Sequence, residues 1–167
     1  MNHLRLGTKN DIPNICQLLI STWQSCYADF IPQDFLDNLN LAHQIRRHTS
    51  SMEKGIIYFI IENDQKELLG FASFGKNRME EFEGENELYT IYVSKRNQGK
   101  AIGKQLLEAV LKAIPKNDQT MLVSVFEKNP YRSFYEKNGF SKIGEELVNL
   151  RNFHVNSWVL KTPSSLF

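Results

Sequence analysis

The chain has 167 residues, 41% hydrophobic and 23% charged, with a net charge of +1, which suits a single domain over 1–167 with a sizeable core. The near-neutral balance leaves no electrostatic footprint for nucleic acid or a membrane surface. No apolar run nears the roughly 20 residues that cross a bilayer, and the opening MNHLRLGTKND lacks a signal peptide's apolar core, so a cytoplasmic protein is expected.

Residues 3–6 read as a short first strand. Asp11 to Trp23 reads as an amphipathic helix with Ile12, Ile15, Cys16, Leu19 and Trp23 on one face, Pro13 in its first turn and Asn10 or Asp11 as its cap. Pro32 to Leu39 and Ala42 to Met52 read as two more helices. Ile56 to Glu62 (IIYFIIE) is a strand whose continuous apolar run predicts cover on both faces. Residues 63–66 turn into a strand over Glu67 to Gly75. A polar, glutamate-rich loop follows, then the strand Glu87 to Val93 and a helix over 99–113. A strand near 120–126, a short helix over 130–138 and strands near 140–148 and 153–160 close the chain. The segment Asn149 to Phe153 has no glycine-rich turn between the last two strands. Cys16 and Cys26 match neither a disulfide framework nor a metal knuckle, and the four histidines lack metal-ligand spacing.

The stretch VSKRNQGKAIGKQLL from Val93 carries the strongest chemical signal. A strand that stops where a glycine-rich helix starts leaves main-chain N–H groups and a positive helix end, a natural site for a phosphate or pyrophosphate. A P-loop does not fit, because Gly99 and Gly103 are one residue too close and Gln105 follows Lys104; the Rossmann pattern is absent. The loop resembles the [QR]-x-x-G-x-[GA] motif of the GCN5-related N-acetyltransferases. Arg96-x-x-Gly99-x-Ala101 matches it literally. Gln98-x-x-Ala101-x-Gly103 matches with alanine at the central glycine and has the family's usual spacing from the strand. In this register Ala101 is expected in the first helical turn with ordinary negative φ. The segment NPYRSFYEKNGF from Asn129 resembles the family's second cofactor segment, with Asn129 as a helix N-cap and Gly139 as the stop.

The resemblance covers nearly the whole chain and implies an α+β fold, a mixed, mostly antiparallel sheet of six or seven strands flanked by helices. It implies acetyl-CoA as co-substrate, with the pyrophosphate on Gln98, Gly99, Lys100, Ala101, Ile102, Gly103 and Lys104. The pantetheine arm would pair with backbone at Ile91 and Val93, in a gap where a bulge splays two strands, and Asn129 would contact the arm. Tyr135 would protonate the leaving thiolate and Glu87 would serve as base through water. Trp23, Tyr27, Ile31, Pro32, Phe35 and Leu36 resemble the helix pair that walls the acceptor side. A homodimer through the C-terminal strands is possible by the same analogy. The expected activity is direct acetyl transfer to a primary amine of a small molecule or peptide, without a metal; the alternative is a non-catalytic acyl-CoA sensor. Glutamates in the run Met79 to Glu87 invite a cationic acceptor, against a plain solvated loop.

Overall fold

The computed structural model describes residues 1–115 and 120–163. Its elements are β1 (Asn2–Leu6), α1 (Ile12–Cys26), α2 (Gln33–Asp37), α3 (Leu41–Glu53), β2 (Ile57–Asn63), β3 (Leu68–Lys76), β4 (Asn86–Val93), α4 (Ile102–Ala113), β5 (Met121–Phe126), α5 (Ser133–Lys137), β6 (Ser141–Leu150) and β7 (Phe153–Lys161). The strands form one seven-stranded sheet in the order β1-β2-β3-β4-β5-β7-β6. Only β4 and β5 run parallel, which requires the α4 crossover between them. Among the described residues no helix is long and apolar enough to cross a membrane.

Helices cover both faces, as the apolar run in β2 requires. On one face, Ile12, Ile15, Cys16 and Leu19 of α1 pack on Tyr58, Ile60 and Phe71. On the other, Ile102, Leu106, Leu107 and Val110 of α4 pack on Ile61, Leu69, Leu88, Val123 and Val125, joined by Tyr135 and Phe140. Truncating a fully buried leucine such as Leu106 to alanine typically costs about 2–5 kcal/mol. α1 starts from a 3-10 turn (Lys9–Asp11), where the Asp11 carboxylate accepts the Thr8 N–H at 2.7 Å. Arg5 pairs with Asp11 and Glu62, tying this turn to the sheet edge.

Four local expectations are revised. α4 begins at Ile102, not at residue 99, because Gly99 and Ala101 both have positive φ (77° and 62°). Ala101 is thus a left-handed residue ahead of the helix, where the missing central glycine would have been unstrained. α5 spans only Ser133–Lys137, preceded by a turn. Asn129 caps that turn, its side-chain oxygen accepting the Tyr131 N–H at 2.8 Å, and does not cap α5. Gly139 does follow the helix end in the left-handed region, with φ 94°. The β6–β7 hairpin closes through Arg151 and Asn152 without glycine, with Arg151 at φ 54°.

Candidate active site

β4 decides where a site can form. Opposite β3, Ser73 pairs with Thr90 and Phe74 with Leu88, so Tyr89 is an extra residue in a bulge. On its other edge β4 pairs with β5 at Asn86, Glu87 and Leu88 only. Beyond Leu88 the strands diverge, and the edge of β4 over Thr90–Val93 has no strand beside it. A cavity of about 820 Å³ occupies this gap and continues beneath α1–α3.

The turn after β4 closes one end of the cavity. The N–H groups of Gly99, Lys100, Ala101, Ile102, Gly103 and Lys104 have no hydrogen-bond acceptor among the described residues; the first helical bond runs from Gln105 N–H to Ala101 O at 3.0 Å. These donors and the positive helix end favour an anion here. A Cβ at Gly103 would make ordinary contact with the Phe134 ring at 3.4 Å. Gln98 braces the turn by donating to Val93 O at 3.2 Å, and its amide oxygen accepts the Tyr131 hydroxyl at 2.7 Å.

Tyr135 lies on α5, buried against Phe134 and Phe140, and lines the cavity. Its hydroxyl has no hydrogen-bond partner among the described residues. Burial pushes its pKa well above the ordinary tyrosine value, and Tyr92 adds to the shift. Asn129 also lines the cavity and donates to the Tyr27 hydroxyl at 3.3 Å. Trp23 donates from Nε1 to the Tyr92 hydroxyl at 3.0 Å.

Glu87 sits at the start of β4, 3% exposed and facing the same cavity. Arg78 Nε donates to its Oε2 at 2.8 Å, and Arg78 Nη2 reaches the same oxygen at 2.6 Å. Burial raises the Glu87 pKa and prevails over the lowering by Arg78; the negative charge of Glu146 adds to the rise. The remaining wall comes from the N-terminal helices. Trp23 makes edge contacts with Tyr27 and Phe126 at 5.2 and 5.5 Å between centroids, and Phe35 stands beside them. His48 of α3 contacts the Tyr58 hydroxyl at 2.7 Å, and burial lowers its pKa to about 4.

Of the residues singled out in the sequence, Glu87, Ile91, Val93, Gln98, Gly99, Ala101, Ile102, Gly103, Lys104, Asn129 and Tyr135 all line this cavity. Lys100 does not, and its ammonium turns to Asn97 Oδ1 at 3.3 Å. Glu80, Glu81, Glu83 and Glu85 are exposed and do not line it either, so the solvated-loop reading holds for them. Arg78 and Glu146 are among the lining residues that escaped sequence reading. The β6 alternation puts Glu146 on the face of Gly144 and Val148, but only the register shows that this face meets the cavity. Among the described residues no three His, Cys, Asp or Glu side chains are grouped to hold a metal.

The acetyltransferase (GNAT) domain family matches residues 28–155. The chain is 30% identical over 144 residues to the uncharacterized N-acetyltransferase YuaI of Bacillus subtilis (strain 168), covering 86% of this chain and 82% of that protein. A GCN5-related N-acetyltransferase from Rhodopseudomonas palustris has a TM-score of 0.76 at 16% identity, covering 97% of this chain and 95% of its own. PaiA N-acetyltransferase from Thermoplasma acidophilum, solved with coenzyme A, has a TM-score of 0.71 at 19% identity, covering 97% and 98%. YncA from Salmonella typhimurium, solved with acetyl-CoA, has a TM-score of 0.72 at 15% identity, covering 98% and 94%. At these identities the solved structures speak for the fold, and the family match and YuaI speak for the class. The chain belongs to the GNAT family of N-acetyltransferases.

Proposed function

We propose that this N-acetyltransferase uses acetyl-CoA and passes its acetyl group directly to a primary amine of a small molecule or peptide. The observation that carries this reading is the row of unsatisfied N–H groups from Gly99 to Lys104, opening on the same cavity as Tyr135 and Glu87. The diphosphate would lie on those N–H groups. The pantetheine arm would run along the open edge of β4 past Ile91 and Val93, with the second amide hydrogen of Asn129 available to it. The thioester would then reach the bulge, between Tyr135 and Glu87.

The chemistry follows from proton accounting. An alkylammonium with pKa near 10.4 is neutral in only about one molecule in two thousand at pH 7. Glu87 takes the ammonium proton through water, and its burial-raised pKa brings it closer to the working pH of a base. The amine nitrogen bonds to the carbonyl carbon, the C–S bond breaks, the departing sulfur takes the Tyr135 proton, and the proton that the new amide nitrogen sheds returns to the tyrosinate, restoring its hydroxyl. Burial keeps that hydroxyl protonated until then. Such acid catalysis typically contributes about 10²–10⁴-fold; positioning in the gap supplies more.

The test is a panel of amines with acetyl-CoA, read as released thiol, beside calorimetry of coenzyme A binding. Thiol release that needs an amine, with no acetylated protein in its absence, is the expected result. An acetylated protein formed before amine addition would replace direct attack by a two-step route. Binding without transfer to any amine would favour a sensor role.

A further inference from the structure

The half of the cavity beyond Glu87 has a charge pattern that acetyl transfer alone does not require. In the sheet register, Phe126 of β5 stands opposite Ser157 of β7, and Ser157 opposite Glu146 of β6. Ser124, two residues before Phe126 and so on the same face, donates to Glu146 Oε1 at 2.6 Å. That bond draws the Glu146 carboxylate across β7 toward β5, the strand that borders the gap. All three polar residues line the cavity.

Two independent features point to a ligand. Glu87 is neutralised by Arg78 and exposed Glu145 by Lys142, whereas Glu146 enters no ion pair among the described residues. Ser157 is 1% exposed and lines the cavity, yet its hydroxyl has no hydrogen-bond partner among the described residues. A carboxylate with one committed oxygen beside a free hydroxyl can accept two of an ammonium's three N–H donors. Charge attraction strengthens where aromatic walls such as Trp23, Tyr27 and Phe126 exclude water.

The reacting nitrogen is a poor occupant. It must be neutral to attack, and an adjacent carboxylate would stabilise its protonated form. A second ammonium that stays charged throughout gains from Glu146 without that penalty. We propose that Glu146, with Ser157, forms a cation subsite that selects acceptors carrying a second positive charge beyond the nitrogen that is acetylated. This rests on the transfer reading above and names its substrate class, an amine with two cationic centres.

The probes are 1,4-diaminobutane and butylamine, equal in chain length and different by one ammonium. The wild-type protein is expected to turn over the diamine with kcat/KM about tenfold higher, the difference lying in KM. Glu146→Gln should raise the diamine KM about tenfold and bring the ratio near unity, with partial recovery in Glu146→Asp. Glu145→Gln, an equal charge change on the opposite face of β6, should leave the ratio in place. An unchanged ratio in Glu146→Gln, or an equal fall for both amines, overturns the proposal. Calorimetric titration of 1,4-diaminobutane into the protein loaded with coenzyme A reads the subsite without turnover. Weaker binding by Glu146→Gln supports it even if neither amine is acetylated, an outcome that would sink the transfer reading alone. Equal binding by both proteins sinks the subsite.

Discussion

The two ends of the cavity are built by different means. The donor end is main chain from one continuous stretch: the bulge at Tyr89, the open edge of β4 and the N–H groups of Gly99 to Lys104. The acceptor end is side chains brought together from far apart: Trp23 of α1, His48 of α3, Arg78, Glu87 of β4, Glu146 of β6 and Ser157 of β7. Backbone donors tolerate almost any side chain that keeps the turn, so the donor end can stay constant while sequences drift. On the proposed function, the acceptor end changes with each side chain, and there the substrate would be chosen.

That contrast can be broken by substitution. Tyr135→Phe should have the largest effect. The acetyl-transfer rate is expected to fall about 10²–10⁴-fold while coenzyme A affinity, read by calorimetry, changes less than about twofold. A matching loss of affinity would move Tyr135 from the chemistry to the grip on the cofactor. Glu87→Gln comes next, with about a 10²-fold lower rate at pH 7 and a smaller loss at pH 9, where more of the amine is neutral unaided. An equal loss at both values in a pH–rate profile would make Glu87 a partner for Arg78 and not a base.

A third substitution sharpens the contrast through stability. His48 titrates near 4 when folded and near 6.5 when unfolded, because burial disfavours its cation. Between those values the unfolded chain binds more protons. Stability is therefore full above about pH 6.5, falls as pH drops toward 4 and levels below it, by on the order of 3 kcal/mol. His48→Gln should flatten this part of a denaturant-midpoint curve against pH; a slope unchanged by the variant would assign it to other groups. Ala101→Gly should have the smallest effect. Relief of the left-handed alanine is worth about 0.5–1 kcal/mol after the unfolded-state entropy of glycine is set against it. That corresponds to about 2–4 °C per kcal/mol in a thermal melt for a chain of this size. A lower melting temperature would show that the loop gains something from the methyl group.

The same division explains how much could be read before the fold was known. The strand over Glu87 to Val93, the glycine-bearing turn and the position of Tyr135 were legible, because turns, helix starts and apolar periodicity are local and leave their pattern in neighbouring residues. The φ of Ala101 was misread. Helix propensity spoke for a first-turn residue, while the tight exit from β4 imposed a left-handed one. The hairpin at Arg151 closed without the glycine that turn chemistry asks for, because the long β6–β7 ladder holds it. The acidic run before Glu87 drew attention to glutamates that do not line the cavity. Glu80 to Glu85 face solvent, and the carboxylate that joins Glu87 in the cavity comes from β6.

The amino-acid order by itself determined the family, the order of elements and the turn that offers its N–H groups, since each is set by residues a few positions apart. Only the tertiary structure decided that Arg78 neutralises Glu87, that Asn129 leans on Tyr27, and that Glu146 reaches Ser124. Those contacts join segments 9, 102 and 22 residues apart. Sheet register and helix packing create such neighbours, and no local pattern in the chain records them.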